Sequence, residues 1–265
     1  ERWVKDLFHP DEDIFIGKVF EIVTSIIFKR KVQPQKAYGL KKKDKKDPFT
    51  STEAFARIFG TVVRVLNLPL PELYVRYDQA FGLQYAITEP PASVVGQALL
   101  TGYSPQDLTF IIAKHLAYYR GEHYIRLLEP TVSGLKTLLL ASIKVANRNF
   151  QLPQDVAAQI TPVVQLIGGG LLPVQMEQLG KVVKAFLESQ GAVDLKRWGS
   201  AVELTSCRVG LLLCNDLEVA VRMVNAEPPG LSDVPPKEKV KELILFSVSE
   251  EYFRLRQVLG FVINI

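Results

Sequence analysis

Residues 108–123 read LTFIIAKHLAYYRGEH, and this stretch decides the fold class. Its apolar residues recur at helical spacing, which predicts an amphipathic helix. Residues 104–107 (SPQD) precede it and are a strong helix start, with a serine cap, a proline at the first position and an acid in the first turn. Two of the chain's three histidines, His115 and His123, lie in this stretch beside Lys114. The end of the helix is therefore the first candidate for a functional site.

Helical periodicity extends over most of the chain. Residues 14–28 and 53–66 are amphipathic, and nearly everything from Thr131 onward has the pattern of helices. Three short strands, ELYVRY, QYAIT and SVVGQALL, are predicted between residues 72 and 100. The glycines at 168–170 lack the lysine and serine of a phosphate loop, so we expect a turn there. These patterns predict an α+β fold that is predominantly helical, with a small mixed sheet and a helical C-terminal half.

The composition is that of an ordinary globular protein. Hydrophobic residues make up 48% and charged residues 23% of the 265 residues, and the net charge is +4. No segment reaches the roughly 18 consecutive apolar residues of a membrane helix. Cys207 and Cys214 are seven residues apart on one predicted helix, about two turns, which is too far for a disulfide. We therefore expect reduced thiols and a cytoplasmic location.

A lysine-rich stretch separates the first amphipathic segment from the rest of the chain. Residues 36–46 contain six lysines, and such runs are usually solvated linkers. We accordingly place a boundary here, with an N-terminal helical segment and linker at residues 1–48 and one compact domain at residues 49–265.

Two polar pairs at helical spacing interrupt apolar segments. Lys114 and Tyr118 are four residues apart, and so are Glu203 and Cys207. Residues four apart lie on one face of a helix, so each pair should project from a single face. His115 directly follows Lys114 and should lie beside that face. Zinc peptidases of the HExxH type have a comparable layout, since two ligands come from one helix and the third from a second helix.

The residues around both pairs resemble one such family. Residues 108–123 are similar to the metal helix of the CaaX-prenyl-protease-type (HtpX-like) metallopeptidases, whose pattern is LRFVIGHELGHIxSGH. Residues 202–224, VELTSCRVGLLLCNDLEVAVRMV, resemble their third-ligand helix, ELSADRAGLLxxxDPEVAIRAL. The resemblance covers roughly residues 50–225. It implies a zincin-like architecture, and domains of this kind occur beside tetratricopeptide repeats in large bacterial proteins.

The resemblance also implies that the catalytic pattern is lost. The first histidine ligand corresponds to Lys114, the general-base glutamate to His115 and the second histidine ligand to Tyr118. The third ligand is retained as Glu203, whereas the aspartate that orients the first histidine corresponds to Cys207. A protonated lysine only donates hydrogen bonds and cannot ligate zinc. One carboxylate and a phenol do not make a three-ligand site, so we expect no zinc and no other cofactor.

A charge argument predicts what replaces the metal. Without a cation, Glu203 would be an uncompensated charge in a half-buried pocket. A lysine at the first ligand position restores positive charge at the same place. We therefore predict that Lys114 pairs with Glu203 and that the hydroxyl of Tyr118 completes the group.

The resulting functional expectation is a pseudoenzyme. It would act as a scaffold or protein-interaction module in a larger protein, with a peptide or partner segment as its ligand and no nucleic acid. Clefts of this kind bind extended chains along an edge strand. The predicted edge consists of Ser93, Val94, Val95, Gly96 and Gln97.

Two alternatives stay open. One is a metal-dependent hydrolase with a rearranged ligand set of His115, Glu203 and Cys207, since each is a legitimate ligand type. The other is a basic adaptor that binds an anionic partner or a membrane surface through residues 36–46. A nucleophilic pair of Cys207 and His115 is less favoured, because thiols in apolar helices are usually inert packing groups.

Overall fold

The computed structural model describes residues 3–189, 193–228 and 232–261. The chain is predominantly helical with a small mixed sheet, as predicted. None of the helices in these ranges has the length and apolar character needed to cross a membrane. The helices are α1 (Ile14–Lys31), α2 (Ala54–Val65), α3 (Pro105–Ala117), α4 (Gly121–Leu128), α5 (Val132–Ala146), α6 (Gln154–Gly170), α7 (Pro173–Glu188), α8 (Leu195–Cys214), α9 (Leu217–Asn225), α10 (Pro236–Ser247) and α11 (Glu250–Val258).

The chain divides into two compact units, each assembled from segments that are distant in sequence. The first comprises Glu1–His9, Val32–Tyr119 and Val202–Ile265. The second comprises Pro10–Lys31 and Arg120–Ala201. The division that we drew from the lysine-rich stretch, at residue 48, differs from this one. Periodicity along the chain shows where helices form but carries no signal for which distant helices pack together.

The sheet lies in the first unit and has the strand order β1-β2-β4-β3. β2 and β4 are parallel, whereas β1 pairs antiparallel with β2, and β3 pairs antiparallel with β4. β4 is therefore an inner strand, hydrogen-bonded on both sides. The strands are β1 (Lys45–Lys46), β2 (Glu72–Arg76), β3 (Leu83–Ala86) and β4 (Ala92–Gly96).

This order corrects the predicted peptide-binding edge at residues 93–97. Ser93 pairs with Leu73 on one side and with Tyr85 on the other, so its strand has no open edge. Gln97 lies beyond the strand, and its N–H donates to the carbonyl of Gln79. The prediction was wrong because strand order depends on long-range pairing. The sheet edge next to β4 is β3.

The helices of the first unit enclose a large apolar core. α3 packs against α2 and α9, and α9 packs against α10. Phe110 and Leu116 of α3 are fully buried in this core. α8 approaches α3 closely at Gly210, where an added Cβ would lie 2.7 Å from a ring carbon of Phe110. Glycine is therefore required for this helix pair to reach its observed separation.

The helix that carries the candidate site begins as predicted and ends sooner. The Ser104 side chain accepts from the N–H of Asp107, and the Asp107 carboxylate accepts from the N–H of Ser104, which is a reciprocal capping box. α3 ends at Ala117, and a separate helix, α4, starts at Gly121. The segment that we predicted as one helix therefore contains two, and His123 belongs to the second unit.

The second unit is helical, and α1 packs against α4, α5, α6 and α7. Asp13 caps α1 by accepting from the N–H groups of Phe15 and Ile16. The glycines at 168–170 are the last turn of α6 rather than a turn outside it, which corrects the prediction. An added Cβ on Gly170 would lie 3.0 Å from a side-chain carbon of Ile26 in α1, so the absence of a side chain there permits close packing.

Candidate functional site

The candidate site is a group of buried charges in the first unit. Lys114, in the last turn of α3, places its Nζ 2.7 Å from Glu203 Oε1 on α8. The Tyr118 hydroxyl donates to Glu203 Oε2 at 2.5 Å. The predicted pairing of Lys114 with Glu203, completed by Tyr118, is therefore confirmed. Tyr118 is the C-cap of α3 and keeps right-handed helical backbone angles, so it follows Lys114 by one turn and directs its hydroxyl to the same carboxylate.

Two further charges that the sequence analysis missed complete the site. Lys239 of α10 lies 2.5 Å from Glu203 Oε1 and 3.0 Å from Glu227 Oε2. Glu227, just after α9, also lies 2.6 Å from the Lys114 Nζ. We call Lys114, Lys239, Glu203 and Glu227 the ion cluster. A signal was available, since Lys239 is on the buried face of α10 with Leu243, where a lysine requires an acidic partner.

The ion cluster has no net charge, because two ammonium groups face two carboxylates. Burial alone would raise the pKa of the Glu203 carboxyl, but Lys114 and Lys239 lower it to about 2. Burial likewise opposes the charged form of Lys114, yet the acidic groups of Cys207, Glu203 and Glu227 raise its pKa above the usual value. Glu203 and Lys114 thus stay ionised and paired over the whole physiological pH range.

Cys207 lies close to the ion cluster but remains an inert thiol. It is fully buried on α8 and forms no disulfide. Burial raises the pKa of its thiol to about 12, despite the opposing effect of Lys114. The reactive form of cysteine is the thiolate, so Cys207 is not a nucleophile at neutral pH.

His115 is directed towards the sheet rather than the ion cluster. Its ring stacks on Tyr85 with centroids 3.9 Å apart, and its Nε2 lies 2.9 Å from the Ser93 hydroxyl. Ser93 is also 2.9 Å from the Tyr119 hydroxyl, which donates to the carbonyl of Ala92. Burial lowers the pKa of the imidazole to about 3.

The serine–histidine contact has the spacing of a nucleophile and its base, but two observations argue against catalysis. Ser93 is fully buried in the middle of the sheet, where no substrate carbonyl can reach it. An imidazole with a pKa of about 3 is too weak a base to activate a hydroxyl at neutral pH. The contact satisfies two buried polar groups and orients the His115 ring.

The donor set does not fit a zinc ion. Both oxygens of Glu203 already accept from ammonium or phenol groups, and two positive charges occupy the position that a cation would need. Of the proposed rearranged ligands, His115 contacts Ser93 rather than Glu203. Within residues 3–189, 193–228 and 232–261, no three histidine, cysteine, aspartate or glutamate side chains converge as a metal site.

A cavity of about 430 Å³ opens beside the ion cluster. Lys114, Glu203, Glu227 and Tyr118 form its polar floor. Its walls are mostly apolar or aromatic, and they comprise Gly82, Leu83, Tyr85, Ala98, Leu99, Tyr103, Ile111, His115, Met223, Ala226 and Pro228.

The β3 strand presents its open edge at this cavity. The N–H of Gly96 donates to the carbonyl of Gly82, so these two residues are a hydrogen-bonded pair. This pair determines which residues of β3 direct their backbone groups at β4. In an antiparallel pair, every second residue turns its backbone groups away from the partner strand. Leu83 and Tyr85 are those residues in β3, and both line the cavity. Their backbone N–H and C=O groups are thus directed away from β4.

Two other sequence candidates have structural partners. In the lysine-rich stretch, Lys45 pairs with Glu72 at 2.5 Å and Lys46 with Glu53 at 2.6 Å, so part of the run fastens β1 to the first unit. Lys36 and residues 41–43 are exposed. The basic-adaptor alternative therefore stays a prediction.

His123 lies in the second unit, where its Nε2 is 2.6 Å from Glu12 Oε1. Both side chains are essentially inaccessible to solvent.

The chain has no significant match among protein-family models, curated proteins or solved structures. The ion cluster and the adjoining cavity are therefore the features that bear most directly on its function.

Proposed function

We propose that this chain is a non-catalytic pseudo-metallopeptidase domain of zincin-like architecture, a scaffold that holds an extended partner segment in the cavity of its first unit. The ion cluster is the observation that carries the proposal. Lys114 occupies the position that the resemblance assigns to the first metal ligand, and its ammonium lies 2.7 Å from Glu203, the retained third ligand. Positive charge is thus supplied by the chain itself.

The protonation states of the cavity floor support the loss of hydrolysis. Peptide hydrolysis needs a group that polarises the carbonyl and a base that activates water. Glu203, with a pKa of about 2, accepts hydrogen bonds through both oxygens. Glu227 receives one lysine ammonium on each oxygen. Neither carboxylate is therefore placed to take a proton from water.

The same floor favours an uncharged ligand. The ion cluster is neutral as a whole, so a ligand with a net charge would bring an uncompensated charge into a partly buried site. Lys114 uses two of its three N–H donors on Glu203 and Glu227, which leaves one donor for a ligand carbonyl. Apolar walls and the open edge of β3 complement an extended backbone with apolar side chains.

Selection of a random peptide library against the full chain tests this proposal. We expect enriched sequences to be uncharged and apolar over a short core, and to bind without being cleaved. An Ile111→Trp variant, which fills the cavity from α3, should abolish their binding. The matched control is Leu172→Trp, at an exposed position in the second unit, and it should bind normally.

Two outcomes would contradict the proposal. If enriched peptides bound the Ile111→Trp variant as well as the unmodified chain, the cavity would not be the binding site. If bound peptides were cleaved and chelation of metal stopped the cleavage, the metal-hydrolase alternative would replace the scaffold.

A further inference from the structure

A second cavity, of about 370 Å³, lies within the second unit. Residues of α5 and α7 and of the first turn of α8 line it. Its volume is within the range of small-molecule binding sites. None of its lining residues belongs to the ion cluster or to the cavity beside it. It is therefore a separate candidate for ligand binding.

The cavity follows α5 for most of the length of that helix. The α5 residues that line it are Val132, Lys136, Leu139, Leu140 and Ile143. Spacings of three and four residues keep these side chains on one face of the helix. The span from the first to the last is about 16 Å at 1.5 Å per residue. A cavity of this length is suited to a linear ligand.

The lining is largely apolar, both in the floor and at the rim. Leu139, Ile143 and Phe186 are buried beneath the cavity. Val132 and Val193 also line it, yet they are 46% and 51% exposed. A hydrocarbon chain in the cavity would remove these exposed side chains from water, which stabilises the complex.

Three charged residues line the cavity, and two of them are lysines. Lys136 and Lys196 are exposed, and their ammonium groups form no ion pair or hydrogen bond within the described part of the chain. The third, Asp194, uses its carboxylate to accept from the N–H of Arg197 at 2.8 Å. The charged lining therefore has one excess positive charge, which a ligand with one negative charge would balance.

The lysines are placed towards one end of α5. Lys136 is in the second turn of the helix, whereas Phe150, which also lines the cavity, follows its end. Near Phe150, the ammonium of Lys144 donates to the carbonyls of Arg148 and Phe150. It is thus occupied by the chain itself. The cavity offers cationic donors near the start of α5 and apolar groups near its end.

We propose that this cavity binds a linear carboxylate of about ten carbons, a medium-chain fatty acid. The hydrocarbon chain lies along the apolar face of α5, and the carboxylate accepts from Lys136 and Lys196. A single negative charge balances the excess positive charge, and an extended chain of this size matches the length of about 16 Å. The proposal concerns the second unit alone and does not depend on the function proposed for the first.

Isothermal titration calorimetry of the full 265-residue chain with decanoate tests this site. We expect one equivalent to bind with a dissociation constant in the micromolar range. Octanoate, which is two methylenes shorter, should bind about fifteenfold more weakly, because each buried methylene contributes about fourfold in affinity. Decyltrimethylammonium has the same hydrocarbon chain and a positive head, so it should bind at least about tenfold more weakly than decanoate.

Two sets of variants locate the ligand. Lys136→Gln combined with Lys196→Gln should weaken decanoate binding about tenfold, whereas Lys181→Gln, at an exposed position of α7, should leave it unchanged. Leu187→Asp places a negative charge on the rim of the cavity and should abolish binding. Leu187 is 37% exposed, so circular dichroism should show unchanged helix content.

Three results would overturn the proposal. They are the absence of decanoate binding at millimolar concentration, equal affinity for decanoate and decyltrimethylammonium, and decanoate binding that survives Leu187→Asp. Ile111→Trp, which fills the cavity of the first unit, should not change decanoate binding. Loss of decanoate binding in that variant would instead assign the fatty acid to the first cavity and would also overturn the proposal.

Discussion

Replacing Glu203 by glutamine removes one charge from the ion cluster while keeping the shape of the side chain. Lys114, Lys239 and Glu227 would remain, so a buried net positive charge would replace a neutral group. Removing one partner of a buried, hydrogen-bonded ion pair typically costs about 3–5 kcal/mol, because the remaining charge stays desolvated without compensation.

The lowered pKa of Glu203 gives a similar estimate of what its charge contributes to the free energy of unfolding. A fall from 4.5 to about 2 corresponds to about 3 kcal/mol of stabilisation at neutral pH, since one pH unit is equivalent to about 1.4 kcal/mol. The folded-state pKa is depressed, so this contribution is fully present above pH 4.5 and is lost as the pH falls towards about 2. The Glu203→Gln variant should therefore lack this part of the acid dependence.

Urea denaturation of the unmodified chain, the variant and a matched control measures the effect. We expect Glu203→Gln to lower the free energy of unfolding by about 3 kcal/mol. Glu177→Gln breaks an ion pair with Lys181 at a comparable 2.6 Å, but that glutamate side chain is 66% exposed. It should produce no measurable change, because exposed pairs contribute little.

A double variant separates the loss of pairing from the loss of the carboxylate. Lys114→Met with Glu203→Gln removes one charge of each sign and leaves the 3.0 Å pair of Lys239 and Glu227. Its destabilisation should be smaller than the sum of the two single effects by about 1–3 kcal/mol. A loss of less than about 1 kcal/mol for Glu203→Gln, or strict additivity in the double variant, would refute the reasoning.

Two further predictions concern the walls around the ion cluster and the packing of α8. Burial lowers the pKa of His115 from 6.5 to about 3, so near pH 5 the unfolded chain binds a proton that the folded chain does not. The free energy of unfolding should therefore fall by about 2 kcal/mol between about pH 7 and about pH 5. His115→Gln should flatten that pH dependence in urea denaturation, and an unchanged slope would contradict it. Gly210→Ala should destabilise the chain by about 1–3 kcal/mol, because the new Cβ meets the ring of Phe110. In the control Gly180→Ala, the new Cβ lies in open space on α7, so the variant should be up to about 1 kcal/mol more stable than the unmodified chain. Equal changes in the free energy of unfolding at the two glycines would contradict this account.

The parts of the site that sequence could predict are those set by local geometry. Ser104 starts α3 because a serine three residues before an acid satisfies backbone donors, which is a purely local effect. Lys114 and Tyr118 share a face because Tyr118, the C-cap of α3, follows Lys114 by four residues with helical backbone angles. Their contact with Glu203 followed from charge compensation together with the resemblance, since a buried carboxylate needs a positive partner.

The parts that could not be predicted depend on pairing between distant segments. Strand β4 follows β3 in the chain but lies between β2 and β3, and no local pattern distinguishes an inner strand from an edge. Glu227 lies in the loop after α9, where periodicity carries no information. Gly170 ends α6 without leaving the helix, because its small size serves packing against Ile26 rather than a change of backbone direction.

The central claim is that the ion cluster makes the site independent of metal. The most direct test is the zinc content of the chain purified without chelator, measured by elemental mass spectrometry. A variant with Lys114→His, Tyr118→His and Lys239→Ala is the positive control, because it places two imidazoles one helical turn apart near Glu203. We predict zinc far below one ion per chain in the unmodified protein and retained zinc in this variant. Close to one zinc ion per unmodified chain, lost on Glu203→Ala, would contradict the account.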